Sequence, residues 1–562
     1  TTEKKVKLTA APFPLAMRLF SRKKADGESP HVAAPGGGGA SAQTGHSSHA
    51  GSASAQSNDL HARKLLQQYF HSLARLHFGG VSALLKDKRN QSLEAPWPSL
   101  IAALNALASC ESHYYSLSFL SFSEAKWLKK ESLGTLYVQV FNTLQQLLSH
   151  TSLHHSGSST SSSSPYSSSS IASVFVNSQL STQASDALTS NQDALSSGAT
   201  SSSASSDATH NASVESLLSS SSPEASSTFL SVILRDCCDL IQCRLKMINV
   251  YVALASATST PPPYDVLVST VSAVVERFSG TTQVLLHPWL SLIRENTILE
   301  TTVLEKLLQA QIALSKYQFK DCVFLTFHTK TLLDTWMRAL SLDKGQAIVE
   351  LASPSKQKTS CDIYVWLREF NLYTTAKMVL YFFNIYKKQK LGNGKPVDMR
   401  SFTSNCRPDF YSMIEGFAQK TEATSVCLMY EVPRVQEKGA EFSLSGYVLP
   451  QGAEAAHQAP TGLSSWPAIF SYPAEPRLEH WPNLIAITLD NKSQLEQYKP
   501  PLYYYDKTVD CTYFISRVDT AITLVAIFTK KQRSNDPNIR TSLNNIAYFL
   551  RNGWIFSQLK TK

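Results

Sequence analysis

Apolar residues recur at helical spacing through two long parts of the chain, residues 59–150 and 228–390. In the first part, Leu66, Tyr69 and Leu73 fall on one face of a predicted helix, because side chains three and four positions apart lie on the same side. In the second part, one predicted helix has a stripe near heptad spacing, which we interpret as an internal bundle seam rather than an exposed dimer helix. The stripe consists of Leu299, Val303, Leu307, Ala310 and Leu314. The two parts together predict an antiparallel helical bundle.

Glycine and proline residues set the predicted ends of several helices. Gly79 and Gly80 end the first helix, and the prolines at 261–263 end the helix that starts near Phe229, because neither residue type is favourable inside a helix. The later helices of this part are predicted over about 264–278, 290–317, 319–340 and 361–387.

Residues 401–562 instead show short apolar runs, which are typical of strands. One of them, Leu484–Leu489, is too short for a helix and rich in branched residues, so we interpret it as a buried strand. A long loop is predicted over 432–477, and the polar residues 516–520 are predicted to separate two strands. The other predicted strands are 425–430, the tyrosine-rich segment 503–505, 511–515 and 522–528.

Two helices are predicted to flank these strands. One opens at Arg407-Pro408-Asp409-Phe410, and the other has Asp536 as its N-cap and Pro537 at its first position. The expected fold class is therefore α+β, with an N-terminal antiparallel helical bundle followed by a C-terminal α/β sandwich of the longin or roadblock kind. The predicted domains are a disordered tail (1–58), a first bundle part (59–150), a disordered Ser-rich insert (151–227), a second bundle part (228–390) and an α/β docking domain (401–562).

The composition separates the tail and the insert from the rest of the chain. Residues 1–58 are rich in Gly, Ala, Ser and His, and residues 151–227 contain no Lys or Arg. Neither segment has enough apolar residues to offset the entropy of ordering. The chain has a net charge of +9, and the insert contributes five negative charges to it, so the positive surplus lies outside the insert. It is compatible with an acidic partner or an anionic membrane surface, although we favour an ordinary solvated basic surface.

Cysteine usage and hydropathy point to the interior of the cell. The nine cysteines form no CxxC pair, which predicts reduced, buried thiols in a cytosolic protein. The longest membrane-like run, Met378–Tyr386, has nine residues, whereas a spanning helix needs about twenty. We therefore expect no transmembrane segment.

The sequence contains no recognised catalytic or metal-binding motif. Gly392–Lys395 contains Gly-Lys, but a phosphate-binding loop needs GxxxxGK followed by Ser or Thr, and Pro396 follows the lysine. His480 and Asp490 would lie about 30 Å apart at the two ends of one extended strand, so they form no acid–base pair. Tyr503–Lys507 mixes aromatic and charged residues as single-strand binders do, but we favour sheet packing. We therefore expect no enzymatic activity, no cofactor, no metal and no nucleic-acid partner.

Several segments together resemble the KICSTOR complex subunit 2 family. The most specific match is HWPNLIAITLD at 480–490. The resemblance covers most of 64–150 and 228–560, whereas the basic tail and the Ser-rich insert depart from the family and suggest a non-vertebrate member. Further matches lie at 407–431, 502–517 and 522–530, and weaker helical matches follow in the same order at 99–120, 242–251, 307–319 and 328–336.

This resemblance implies a non-enzymatic scaffold or adaptor. The family's complex recruits the GATOR-type GAP of the Rag GTPases to lysosomes and restrains mTOR complex 1 on amino-acid or glucose starvation. The implied partners are the large KICSTOR scaffold subunit, kaptin and the FG-GAP-repeat subunit, with the GAP complex and the Rag GTPases contacted indirectly. The implied localisation is the cytoplasm and the lysosomal surface, with peripheral membrane association through the complex. The family is also linked to cilium formation. Formation of homo-oligomers is left as an open alternative.

Aromatic residues are the candidate partner contacts, because they dominate protein interfaces. An alternative function is direct regulation of a small GTPase, or a trafficking or ciliogenesis adaptor, through the longin-like domain. An exposed arginine such as Arg517 or Arg551 would then be a candidate finger. The candidate contacts are Trp481, Tyr503, Tyr504, Tyr513, Trp336 and Trp366.

Overall fold

The computed structural model is mostly helical in its N-terminal part and has one antiparallel sheet of five strands near the C-terminus, which confirms the α+β class. It divides into two compact units, Gln145–Arg235 and the rest of the chain. The smaller unit holds the end of one helix and the start of the next. The structure describes residues 50–89, 97–120, 132–153, 223–257, 259–280, 287–341, 361–388, 397–432, 462–473 and 475–560.

In the described residues, the long helices α1 to α9 are followed by two short helices, α10 and α11, and by the helices of the sheet region. The first eight are α1 (Ala50–Ala74), α2 (Phe78–Arg89), α3 (Trp97–Tyr115), α4 (Leu133–Leu153), α5 (Pro223–Ser256), α6 (Tyr264–Ser279), α7 (Ser291–Ser315) and α8 (Phe319–Ser341). The others are α9 (Asp362–Tyr381), α10 (Phe383–Lys388), α11 (Met399–Thr403), α12 (Phe410–Thr421), α13 (Trp481–Asp490), α14 (Lys492–Leu495), α15 (Pro537–Leu550) and α16 (Gly553–Ser557).

Helix α7 lies at the centre of the N-terminal part and contacts α1, α6, α8 and α9. Its near-heptad stripe is buried at four of its five positions, and Leu299 is half-buried. The stripe is therefore an internal seam, as predicted. The helices predicted over 264–340 match α6, α7 and α8 within two residues at each end. The antiparallel bundle as a whole stays a prediction.

The ends of the first two helices differ from the prediction. Helix α1 ends at Ala74, and Leu76 adopts a left-handed φ of 58° that reverses the chain. Gly79 and Gly80 then lie in the first turn of α2 instead of ending α1. Helix α1 begins at Ala50, inside the segment predicted as a tail. The disorder predicted for 1–49 and for most of the insert lies outside the described residues.

The sheet has the strand order β2-β1-β5-β4-β3, and all neighbours are antiparallel. Its edges are therefore β2 and β3. Asn384 of α10 donates to the backbone oxygens of Ala468 and Ile469 at the β2 edge. The strands are β1 (Ser425–Tyr430), β2 (Ala468–Tyr472), β3 (Leu502–Asp506), β4 (Cys511–Asp519) and β5 (Ile522–Phe528).

Helices cover both faces of the sheet. Helix α13 packs on one face through Trp481, Leu484 and Ile487, and α12 and α15 pack on strands β1, β2 and β4. The predicted N-cap is confirmed, because Asp536 accepts from two N–H groups of α15. The helix predicted to open at Arg407–Phe410 is α12, and Asp409 caps it by accepting from the Ser412 backbone N–H. The apolar face predicted for α15 is buried at Ile539, Leu543, Ile546 and Leu550.

Three strand predictions were wrong. Leu484–Leu489 belongs to helix α13, with Pro482 in its first turn. Five of its six residues are apolar, and so dense an apolar run fits the period of a helix as well as that of a strand. The loop predicted over 432–477 contains β2, which forms by pairing with β1. Residues 516–519 continue β4 instead of interrupting it, because Ser516 and Arg517 find polar partners inside the protein. His480 and Asp490 thus bracket a ten-residue helix of about 15 Å.

Candidate functional site

Four of the six predicted contact residues lie in the core. Trp336, Trp366, Trp481 and Tyr513 are at most 1% exposed. Trp366 donates its indole N–H to the Ile555 oxygen at 2.9 Å. Packing is therefore the role that the structure gives these four side chains, and a contact with a partner stays a prediction.

The other two candidates lie on the edge strand β3. Tyr503 is half-buried and donates its hydroxyl to the Gln532 oxygen at 3.0 Å. Tyr504 is 44% exposed, and its ring stacks on Tyr513 with the centroids 6.5 Å apart. Because Tyr513 packs under α13, Tyr504 shares the face of the sheet that α13 covers. Of the six candidates, Tyr504 offers the most surface.

The two arginines proposed as fingers are buried, so the expectation that they are exposed was wrong. Arg517 is 4% exposed and binds Glu431 and Thr523 at 3.1 and 3.0 Å. Arg551 is 3% exposed and binds the Arg517 backbone oxygen and the Ser516 hydroxyl. Burial lowers the pKa of Arg551 to about 10. Both guanidinium groups stabilise the end of β4.

A buried ion cluster lies among helices α3, α5 and α7. The guanidinium of Arg244 contacts both carboxylate oxygens of Glu111 at 3.0–3.2 Å and one oxygen of Glu300 at 3.0 Å. It also donates to the Tyr115 hydroxyl at 2.8 Å. Arg244 and Glu300 are fully buried, and Glu111 is nearly so. Such a pair is stabilising only when its remaining hydrogen-bonding groups are satisfied.

Tyrosine hydroxyls satisfy the remaining oxygens of this cluster. Tyr114 and Tyr251 both donate to the same Glu300 oxygen, at 2.5 and 3.1 Å, and Tyr137 donates to Glu111 at 2.8 Å. Burial raises the pKa of Glu300, and Arg244 opposes this shift. The site has no vacant acceptor facing solvent, so we interpret it as a packing determinant.

A second polar cluster joins the helical part to the sheet region. Lys377 of α9 pairs with Asp519 at the end of β4 at 3.1 Å, and Tyr381 donates to the same carboxylate at 2.5 Å. Asn552 adopts a left-handed φ of 67° and donates to the Gln311 and Tyr264 side chains. These contacts, together with that of Trp366, fix the C-terminal helices against α9 and α7.

The described residues show no arrangement typical of catalysis. No group of three or more His, Cys, Asp or Glu side chains in the described ranges is placed to hold a metal ion. Burial raises the pKa of the Cys110, Cys243, Cys361 and Cys427 thiols to about 12, so they are protonated at neutral pH and are poor nucleophiles. Gly392–Lys395 lies outside the described residues.

Helix α13 carries an apolar surface that the strand interpretation missed. The turn Leu478–His480 leads directly into it, and a stripe of exposed apolar residues runs along the combined segment. We call this stripe the α13 face. The feature of the sequence that could have indicated this surface is the absence of Asp, Glu, Lys and Arg from His480 to Leu489. The α13 face consists of Leu478, Pro482, Ala486 and Leu489, with Ile485 half-buried beside them.

Within the described residues, none of the helices is both long enough and apolar enough to span a bilayer.

Two known proteins and one protein family match this chain over most of its length. A frog protein from Xenopus laevis named KICSTOR subunit 2 is 24% identical over 507 residues, which cover 89% of this chain and 96% of the frog protein. A zebrafish protein from Danio rerio with the same name is 24% identical over 508 residues, covering 89% and 95% of the two chains. The family described as KICSTOR complex C12orf66 like matches residues 58–180 and 174–562. The chain therefore belongs to the KICSTOR complex C12orf66-like family.

Proposed function

We propose that this chain is a non-enzymatic adaptor subunit of a KICSTOR-type complex. The observation that carries the proposal is the family match, which spans both the helical part and the sheet region. In this function the chain binds the large KICSTOR scaffold subunit, kaptin and the FG-GAP-repeat subunit. The complex brings the GAP complex of the Rag GTPases to the lysosomal surface and restrains mTOR complex 1 on amino-acid or glucose starvation.

The architecture supports a docking role. From α12 onward the elements follow the order helix, two strands, helix, three strands, helix around one antiparallel sheet. This order fits the longin or roadblock kind of module that we expect here. The buried ion cluster around Arg244 joins helices α3, α5 and α7, and the Lys377–Asp519 pair joins α9 to β4. Preorganised surfaces bind with less loss of conformational entropy.

Co-expression tests the proposal directly. The tagged full-length chain is produced with the large scaffold subunit, kaptin and the FG-GAP-repeat subunit, and complexes are isolated by affinity and size-exclusion chromatography. We expect a stable assembly containing all four proteins. If the chain melts cooperatively on its own but elutes without the other three, the proposal is wrong.

A cellular measurement tests the signalling role. Cells lacking the chain are expected to keep mTOR complex 1 active during amino-acid or glucose withdrawal, as followed by phosphorylation of its substrates. Re-expression of the chain is expected to restore the response. Normal inactivation in the deleted cells would contradict the role even if the complex forms.

A further inference from the structure

The α13 face is unusual because the segment 478–490 carries apolar residues on its outer side as well as on the side that packs on the sheet. Its inner side packs on the sheet through Trp481, Leu484 and Ile487. On its outer side Leu478 is 59% exposed and Leu489 is 41% exposed. Contiguous exposed apolar patches mark interaction sites. This points to a partner that covers α13.

The neighbouring edge strand extends the same surface. Tyr504 of β3 lies on the α13 side of the sheet, and Asn483 in the first turn of α13 donates to Asp506 at the end of β3 at 2.7 Å. Val509, in the turn after β3, is 48% exposed. The α13 face and the β3 edge are therefore adjacent.

The segment around this surface has a negative net charge, whereas the whole chain has a positive one. Residues 475–510 contain six Asp or Glu and four Lys or Arg, whereas the chain carries a net charge of +9. Arg477 and Glu479 pair at 3.6 Å on the surface and offset each other in part, and Lys492 pairs with Glu431 at 3.7 Å. Burial lowers the pKa of His480, so its ring adds no positive charge at neutral pH.

Acidic side chains stand at both ends of the stripe. Glu479 lies at its beginning and Asp490 at its end, and both are exposed. A second copy docked about a twofold axis would bring the two acidic rims together, which is unfavourable. An anionic membrane surface would be repelled for the same reason. The complementary partner is a protein segment that is apolar in the middle and basic at its margins.

We propose that the α13 face, together with Tyr504, binds an amphipathic helix of a partner subunit whose apolar side is flanked by Lys or Arg residues. The four stripe positions span twelve residues, about 16 Å along the axis, which matches about three turns of a docked helix. The apolar stripe supplies affinity, and Glu479 and Asp490 fix the register. The inference rests on the proposed adaptor function and names one binding surface within it.

The test uses the full-length chain co-expressed with the three partner subunits named above. Leu478→Lys combined with Leu489→Lys removes apolar contacts and sets positive charge against the basic margins. We expect at least about a tenfold loss of co-purified partner, the scale of one lost apolar anchor. Phe324→Lys is the matched control, because Phe324 is also 59% exposed but lies on α8. It is expected to leave the assembly unchanged.

A charge-reversal variant and a photo-crosslink test which molecule binds the α13 face. Glu479→Lys with Asp490→Lys is expected to weaken assembly most at low salt, because screening reduces the repulsion. A photo-crosslinking residue at Leu489 is expected to label a partner helix with basic margins. Crosslinks to a second copy, to residues 433–461 of the same chain or to anionic vesicles would each overturn the inference.

The co-expression results distinguish an error in the proposed binding surface from an error in the proposed adaptor function. If the wild-type chain assembles and the Leu478→Lys/Leu489→Lys variant assembles equally well, the α13 face is not the site. If the well-folded wild-type chain does not assemble at all, the adaptor function itself is wrong.

Discussion

Replacing Arg244 by Met tests whether the buried ion cluster determines the packing of the helical part. Arg244 is fully buried and makes close contacts with Glu111, Glu300 and Tyr115. Methionine fills much of the same volume, but it leaves two carboxylates in the interior without a cation. Removing one partner of a buried ion pair typically costs about 3–5 kcal/mol. We expect a loss of this size in the free energy of unfolding at neutral pH.

The pH dependence separates this mechanism from a simple loss of packing. Without Arg244, one carboxylate of the pair is expected to bind a proton in the folded state, because burial already raises the pKa of Glu300. A folded state that binds one extra proton gains stability as pH falls, by about 1.4 kcal/mol per pH unit above the pKa of the unfolded chain. The deficit of the variant relative to wild type should therefore shrink by about 2–3 kcal/mol between pH 7.5 and 5.5.

Urea unfolding followed by tryptophan fluorescence at the two pH values measures both effects. Arg338→Met is the control, because Arg338 is exposed on α8 and its loss should cost less than about 0.5 kcal/mol. Adding Glu111→Gln to Arg244→Met should restore part of the stability at neutral pH. A deficit below about 1 kcal/mol, or one that does not change with pH, would refute the reasoning.

Three further predictions concern other parts of the fold. Burial lowers the pKa of His287 from 6.5 to about 4, so its stabilising contribution is complete above pH 6.5 and is lost as pH falls toward 4; in thermal melts wild type should lose about 2 kcal/mol relative to His287→Asn by pH 5. Asp536→Ala removes two N-cap hydrogen bonds of α15 and should cost about 1 kcal/mol, whereas Asp536→Asn should be nearly neutral by the same measurement. Lys377→Met and Asp519→Asn should each destabilise the protein, and a double-mutant cycle should show a coupling above about 1 kcal/mol; additive losses would mean that the pair does not join the two regions.

The sequence by itself determined those elements whose apolar residues fit only one period, either that of a helix or that of a strand. Helices α6, α7 and α8 agree with the 3.6-residue patterns that predicted them, because that spacing places their apolar residues on one side of the helix. The N-cap Asp536 could also be predicted from the sequence, because its side chain accepts from backbone N–H groups only two and three residues away. The bounds of β1 also followed from its short apolar run.

Tertiary structure decided the elements that depend on distant partners. Leu484–Leu489 satisfies either period, and it is a helix because it covers a sheet whose strands lie elsewhere in the chain. Strand β2 exists only through pairing with β1. Burial of Arg244 depends on Glu111, 133 positions away, and on Glu300. No local pattern in the sequence shows that a buried charged side chain is paired with one of opposite charge. Nor does any show which aromatic side chains remain at the surface. The exposed α13 face is therefore a product of the folded chain, since it depends on which side of a mostly apolar segment the sheet covers.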